Sequence, residues 1–151
     1  FKVGDFVSVG GVTGTVKELG LFGCTLLTPD NVMTIVGNGK IFGDTIQNFS
    51  VMPVRRVERT AQLAGSVSPL DAIARLKAAV AQIPNVAATP APEVSLLDMN
   101  LNGPVIAVRP YCHNDHYWQV YFDTNEMIVR VSGEAGWPAP TPTTRTIQVA
   151  A

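Results

Sequence analysis

The first third of the chain alternates short apolar runs with breaks rich in glycine and asparagine. Such runs, when they contain many β-branched and aromatic residues, are typical of strands. Five strands are predicted, at 6–9, 14–19, 24–28, 32–36 and 45–49. Turns are predicted at 10–11, 29–31 and 37–39, because Gly and Asn tolerate a positive φ and Pro presets the φ of a turn. This pattern predicts a small, strongly bent sheet or a partly open barrel.

The spacing of apolar residues becomes helical after Pro53 and one further predicted strand, at 56–63. Ser68 suits the N-cap of a helix, Pro69 its first position, and Asp71 follows the cap by three residues. One apolar stripe then repeats at intervals of three to four residues, and its members are Leu70, Ile73, Leu76, Val80 and Ile83. Asp71 and Arg75 form a weak pair on the outer side, and Pro84 is predicted to end the helix.

The remaining pattern predicts a hairpin and a second helix. Strands at 93–100 and 105–111 flank the turn residues 102–104. A helix is predicted over 115–135, although 128–131 also has strand propensity, and Gly136 suits the position after its end. The apolar residues expected on one side of this helix are Trp118, Tyr121, Phe122, Ile128 and Val129. The order strand–helix–strand–strand–helix is a split βαβ unit of the ferredoxin-like kind.

The last residues differ from both preceding parts. Three prolines between 138 and 142 predict a stiff, extended linker. Residues 144–149 have the alternating side-chain pattern of a strand. A lone strand must join the preceding sheet or pair with strands of other copies. The sequence therefore predicts an α+β chain with a β-domain at 1–56, an α/β domain at 57–137, and a linker with a final strand at 138–151.

Composition narrows the class of protein. The chain is 46% hydrophobic, 15% charged and near neutral, with a mean hydropathy of +0.21. These values disfavour disorder and suit a chain that covers surface with copies of itself. No run of Lys and Arg extends beyond Arg55-Arg56, so no nucleic-acid footprint is visible. No apolar run approaches the roughly 18–20 residues of a membrane span, and no signal peptide is recognised. Because the chain starts with Phe inside a motif, we expect it to be a piece of a longer protein.

Candidate chemistry is sparse. The cluster Cys112, His113, Asp115 and His116 contains four possible ligands, but four ligands within five residues rarely converge on one zinc ion. Helix capping by Asn114 or Asp115 is the favoured interpretation. Cys24 and Cys112 are expected to be free thiols in a reducing compartment. Asn38-Gly39-Lys40 lacks the spacing of a phosphate loop, and no catalytic triad is present. We therefore expect no enzyme activity, no cofactor and no metal.

Several polar and glycine positions have a structural and a functional interpretation. Gly4-Asp5 and Gly10-Gly11 are expected to set turns in the sheet. Asn48 and Ser50 fall on the same side of a strand and are expected to form hydrogen bonds within or between subunits, with a polar portal lining as the alternative. Arg55 and Arg56, between the two predicted domains, suit a carboxylate-paired boundary. Their alternative is a ring of positive charge that biases ion occupancy.

The ordered series from Phe1 to Arg56 resembles the cytoplasmic β-domain of the small-conductance mechanosensitive channel family. The residues that carry the resemblance are Gly4-Asp5, Gly10-Gly11, Gly14, Asn38-Gly39-Lys40, Ile46-x-Asn48-x-Ser50 and Pro53-Val54-Arg55-Arg56. Weaker agreement is found at Trp118, Asp123, Ala135-Gly136, Pro140 and Pro142. The chain departs from the family at Gly37, where Pro is usual, and at 63–66, where an aromatic-Asp pair is common.

The resemblance implies an Sm-like β-domain, an α/β domain and a final strand that joins six others in a parallel barrel. The barrel residues would be Thr144, Thr146, Ile147 and Val149. It also implies a homoheptameric cage on the cytoplasmic side of the inner (plasma) membrane, below a pore that tension opens by population shift. Ions and small osmolytes would leave through it after hypo-osmotic shock. Membrane helices would precede Phe1, and residues 1–5 would couple to them.

Two rival functions remain open from the residues themselves. The first is an Sm-like RNA-binding module with an appended α/β domain, which the near-neutral charge and the scarcity of stacking aromatics disfavour. The second is a metal-dependent enzyme built on the cluster from Cys112 to His116.

Overall fold

The computed structural model describes residues 1–150, which form two compact units divided between Pro53 and Val54. The strands are β1 (Phe6–Val9), β2 (Val12–Leu19), β3 (Gly23–Leu27), β4 (Met33–Gly37), β5 (Gln47–Asn48), β6 (Arg55–Arg56), β7 (Arg59–Gln62), β8 (Glu93–Asn100), β9 (Gly103–Arg109) and β10 (Tyr111–Cys112). The α-helices are α1 (Asn38–Phe42), α2 (Pro69–Val80) and α3 (Tyr117–Glu134), and a 3-10 turn at Asn114–His116 precedes α3.

The first unit is one antiparallel sheet with the strand order β4-β3-β2-β1-β5. Alternate residues point to one side and form its core, and that core consists of Val7, Val9, Val16, Cys24, Leu26, Val36 and, from α1, Ile41. The first four predicted strands are confirmed to within two residues, because alternation and turn chemistry are local properties of the sequence.

Two predictions for this unit are wrong. The strand expected at 45–49 is only two residues long, since only Gln47 and Asn48 pair with β1. The turn expected at 37–39 is the start of α1 instead. Its single helical turn brings Ile41, which is 3% exposed, onto the core of the sheet. Burial of that side chain stabilises the helix more than the flanking glycines oppose it.

The second unit is built on an antiparallel sheet with the order β7-β9-β8, in which α2 connects β7 to β8 and a hairpin connects β8 to β9. Side chains of α2, α3 and this sheet form one core, whose largest fully buried members are Leu76, Ile106, Met127, Val80 and Val108. A mixed fold with antiparallel sheets is therefore observed. The ferredoxin-like assignment and the parallel barrel stay predictions.

The single strand predicted at 56–63 is divided into two. β6 pairs with β10, β7 pairs with β9, and Val57 lies at the break between them. The Val57 amide donates to the carbonyl of Pro110 at 2.8 Å, and its side chain is fully buried beside Cys112 and Val120. Burial of Val57 in this small second core accounts for the change of partner strand.

Helix α2 begins as predicted but ends earlier. Ser68 Oγ accepts from the amide of Asp71, and Pro69 is the first helical residue. The helix ends at Val80 rather than at Pro84. The prediction that Leu70 belongs to the buried stripe is wrong, since Leu70 is 80% exposed. At 100° per residue, Leu70 lies about 120° around the helix from the centre of the buried side, which contains Ala72, Leu76 and Val80.

Helix α3 buries a different side from the predicted one. Its buried residues are Val120, Thr124, Met127 and Val131, whereas Trp118, Phe122 and Val129 of the predicted side are exposed. The other two predicted residues, Tyr121 and Ile128, are half-buried and pack against the edges of the cores. A pattern based on hydrophobicity does not recognise the buried side, because one of its members, Thr124, is polar. The hydroxyl of Thr124 donates to the carbonyl of Val120 at 2.7 Å and is therefore satisfied inside the core. The predicted end is confirmed, because Gly136 has a φ of +68° immediately after the helix.

Residues 137–150 contain neither helix nor strand, so the strand predicted at 144–149 is not formed within this single chain. The Thr143 amide donates to the carbonyl of Leu101 at 2.8 Å and holds the start of this segment at the tip of the β8–β9 hairpin. Across residues 1–150, the helices are all too short or too polar to cross a membrane.

Candidate functional site

The most connected polar group of the first unit is the carboxylate of Asp5, which is only 4% exposed. Its Oδ2 accepts from the backbone N of Lys2 at 3.1 Å and from Nδ2 of Asn48 at 2.9 Å, and its Oδ1 accepts from Nζ of Lys2 at 3.0 Å. These bonds from Asn48 and Lys2 lower the pKa of Asp5 to about 2. The carboxylate is therefore ionised and fully bonded at neutral pH.

The same set of contacts extends to Ser50. Asn48 Oδ1 accepts from the Ser50 amide at 2.9 Å, and Ser50 Oγ accepts from the Phe6 amide at 2.9 Å. The rings of Phe6 and Phe49 pack with centroids 5.8 Å apart. The expected hydrogen bonds of Asn48 and Ser50 are thus formed within one chain. The sequence could not name Asp5 as the partner of Asn48, because the two residues lie 43 positions apart.

The glycines that carry the resemblance have different roles. Gly4, Gly10 and Gly11 have positive φ angles and lie at or before turns. Gly14 lies inside β2, where an added Cβ would be 2.6 Å from the carbonyl oxygen of Leu27 on β3. Asn38 donates from its amide and its Nδ2 to the carbonyls of Phe22 and Leu21, at 2.9 and 2.8 Å. It therefore holds the loop between β2 and β3, whereas Gly39 has open space beside it.

Arg55 and Arg56 have distinct surroundings. The guanidinium of Arg55 lies 3.8 Å from the centroid of the Tyr117 ring, and its Nη1 donates to Oδ1 of Asn114 at 3.0 Å. Arg56 forms an ion pair with Glu58 and lies 3.7 Å from Glu93. The two side chains therefore do not form one cationic patch within the chain.

Arg56 belongs to a closed set of four alternating charges. Arg109 contacts Glu58 at 2.7 Å and Glu93 at 3.3 Å, and Arg56 contacts the same two carboxylates. Two positive and two negative side chains balance one another across β6, β8 and β9. Sequence analysis did not find this set, since neither Glu93 nor Arg109 is near Arg56 in the sequence.

A second contact that sequence analysis missed connects β7 to α3. Arg59 donates from Nε to Oδ1 of Asn125 and from Nη1 to the Tyr121 hydroxyl, both at 2.7 Å. Its guanidinium also lies 4.3 Å from the Tyr121 ring centroid. No pattern predicts this contact, because its members are more than 60 residues apart.

The residues from Cys112 to His116 do not converge. Cys112 is fully buried with Val57 and Val120, and burial raises the pKa of its thiol, an effect that the charge of Arg55 partly offsets. His113 is exposed, and its Nδ1 accepts from the Asp115 amide at 3.1 Å. The capping residue is therefore His113 rather than Asn114 or Asp115. Within the described residues, no three His, Cys, Asp or Glu side chains are grouped to hold a metal ion.

Large apolar side chains are exposed on both units. In the first unit the most exposed are Leu21 and Phe22 at the β2–β3 turn, Ile35 on the edge strand β4, and Phe42 on α1. The second unit exposes Leu97, Met99 and Leu101 at the β8–β9 hairpin and Trp118 and Phe122 on α3. The predicted barrel residues Thr144, Thr146, Ile147 and Val149 are also exposed. Exposed apolar surface on this scale is typical of interaction surfaces.

Comparisons with known proteins agree with this architecture. Residues 1–51 match the family described as mechanosensitive ion channel, beta-domain. Over 143 residues the chain is 35% identical to a small-conductance mechanosensitive channel of Edwardsiella ictaluri, an alignment that covers 93% of this chain and 50% of that protein. The chain belongs to the MscS family. An uncharacterised MscS family protein of Synechocystis is 26% identical over 94% of this chain and 48% of its own length.

Two solved structures share the fold. The match to the closed state of Helicobacter pylori MscS covers 100% of this chain and 60% of the MscS chain, with a TM-score of 0.89 at 16% identity. Arabidopsis thaliana MSL1 covers 96% of this chain and 53% of its own, with a TM-score of 0.70 at 18% identity. The chain spans about half the length of the curated MscS relatives that it matches. MscS-type mechanosensitive channels are a non-enzymatic class of protein.

Proposed function

We propose that this chain forms the cytoplasmic cage of a mechanosensitive channel in the inner membrane. The carrying observation is the alignment with a mechanosensitive channel along 93% of the chain. In this proposal seven copies enclose a water-filled vestibule, and ions and small osmolytes pass through it when membrane tension opens a pore built from other parts of the protein. Tension acts by favouring the state with the larger area in the membrane plane.

Exposed apolar side chains support self-assembly. Among residues 1–150, both edge strands of the first sheet, β4 and β5, have one side that pairs with no other strand, and β4 exposes Met33 and Ile35. An open, apolar strand edge is an aggregation hazard unless a partner covers it. The exposed residues of the tail, Ile147 and Val149, lie two apart and would share one side of a strand. A barrel of identical tails would pair that strand and bury this side.

The charge-ring hypothesis for Arg55 and Arg56 is modified by the local contacts. Glu58 and Glu93 balance Arg56 and Arg109, so in a ring of copies Arg56 would repeat within a nearly neutral set of side chains. We expect Arg56 to bias ion occupancy less than an uncompensated arginine would.

The proposal is tested by the mass of the chain in solution, measured by native mass spectrometry or light scattering. Seven copies of a 16.1 kDa chain give about 113 kDa. In the variant Ile147→Lys, a charge on the apolar side of the tail should reduce this species. The matched control Gln148→Lys should reduce it less, because residue 148 lies on the opposite side of the same strand.

Other masses would support other functions. A hexamer that retains RNA at low salt would favour the Sm-like RNA-binding rival. The result that would contradict assembly through the tail is a chain that stays monomeric at high protein concentration. In that case the variants Ile147→Lys and Gln148→Lys would have the same mass in solution as the parent chain.

A further inference from the structure

The two ends of the first unit meet at Asp5. Residues 1–5 lead into β1, and residues 49–53 leave β5, which pairs with β1 at only two positions, Val7 with Asn48 and Ser8 with Gln47. A ladder of two residue pairs is weak by itself. The end of β5 therefore depends on additional contacts to stay on the sheet.

One backbone bond, from the Phe49 amide to the carbonyl of Phe6 at 2.9 Å, continues the pairing, and side chains supply the remaining contacts. Asp5 accepts from Asn48, Asn48 accepts from the Ser50 amide, and Ser50 accepts from the Phe6 amide, all at 2.9 Å. These bonds form a circuit through residues 5, 48, 50 and 6. The carboxylate is buried, so losing a partner would leave a charge or a donor unsatisfied. Lys2 also donates to Asp5 from its backbone N and its Nζ, but it lies within residues 1–5 and so does not connect them to β5.

We propose that Asp5, Asn48 and Ser50 form a latch that fixes residues 1–6 to the end of β5, so that both ends of the first unit move as one body. A pull applied to residues 1–5 then reaches β5 through the Asp5–Asn48 bond. Without that bond, the pull would reach β5 only through the backbone pairing of β1. Only the source of that pull rests on the proposed channel function; the latch itself is a property of the first unit.

Hydrogen exchange of the whole chain tests the latch. In Asp5→Ala and in Asn48→Ala, the amides of residues 4–8 and 47–50 should exchange about tenfold faster or more, the factor expected for a lost hydrogen bond to a charged group. Amides in the middle of β3 should keep their rates. The double variant should accelerate exchange by clearly less than the product of the two single effects, because both remove the same bond.

Two further variants keep the test decisive. Asp30→Ala removes an exposed carboxylate from the β3–β4 turn and should leave exchange at residues 4–8 unchanged. Ser50→Ala removes only the bond to Phe6, and it tests the circuit even if a larger change unfolds the unit. It should accelerate exchange of the Phe6 amide severalfold.

The latch is overturned if the Asp5 and Asn48 variants exchange like the parent, or if their effects multiply as for independent sites. Equal acceleration of β3 and residues 4–8 would also overturn it, since Asp5 would then support the whole unit rather than its ends. None of these outcomes depends on the number of copies in the assembly. The mass measurement can therefore contradict the heptamer while hydrogen exchange supports the latch. The opposite pair of results is equally possible.

Discussion

Leu70 and Leu76 lie on the same helix, α2, and in the same predicted apolar stripe, yet the structure gives them opposite environments. Leu76 is fully buried in the core that contains Ile106 and Met127. Leu70 is 80% exposed. The same substitution, leucine to alanine, at the two positions therefore separates burial from sequence pattern.

The expected magnitudes follow from burial. Leu76→Ala removes packed methyl groups and leaves a cavity, which costs about 2–5 kcal/mol. Leu70→Ala removes a side chain that is mostly in water, and its effect should stay within about 0.5 kcal/mol of zero. With a urea m-value of about 1–3 kcal/mol per molar, Leu76→Ala should lower the denaturation midpoint by about 1 M or more.

The assay is urea denaturation followed by tryptophan fluorescence. Both tryptophans, Trp118 and Trp137, lie in the second unit, so their emission reports the unit that contains α2. Each variant is measured at two protein concentrations tenfold apart, because association stabilises a folded chain in a concentration-dependent way. Equal midpoints for the two variants at both concentrations would refute the assignment of the buried side of α2.

Two other predictions concern the backbone and pH. Gly103 has a φ of +137°, and an added Cβ would meet the Leu63 carbonyl and lie 2.6 Å from the Gly65 nitrogen. Gly103→Ala should therefore lower the free energy of unfolding by about 1–3 kcal/mol. Gly65 has open space around an added Cβ, so Gly65→Ala should change the free energy of unfolding by less than about 0.5 kcal/mol. Similar melting temperatures for the two variants would contradict the predicted strain at Gly103. The pKa of Asp5 is about 2 in the folded chain and 3.8 in the reference state, so the unfolded chain binds the proton more readily. The stability that Asp5 provides should be complete above about pH 5 and decrease as pH falls towards 2, as seen by circular dichroism in urea. Asp5→Asn should make the stability depend less on pH in this range. An unchanged slope of stability against pH would contradict the role given to Asp5.

Features that depend on neighbouring residues could be predicted from the sequence. The first four strands follow from alternation and from glycines in the turns. The start of α2 follows from Ser68 and Pro69, and the end of α3 from Gly136. Each of these features is decided by contacts within a few residues, so a single sequence contains the whole cause.

Features that depend on distant partners could not be predicted. Ile41 forms a helical turn because the sheet core lies beside it. Asp5 is held by Asn48, and Arg56 is balanced by Glu93, at separations that no short pattern spans. For the candidate site, the sequence indicated that Asn48 and Ser50 would be bonded. The register of β1 against β5 decides to which residues they bond.

The wrong side predicted for α3 has a physical cause. The helix carries two apolar sides: a buried one that includes Val120 and Met127, and an exposed one with Trp118 and Phe122. A pattern analysis selects the larger and more hydrophobic side, which here is the exposed one. A helix that is apolar around much of its circumference is typical of burial on more than one side. The exposed aromatic side therefore suits a second interface, so the sequence contains the pattern of two interfaces, of which a single chain forms one.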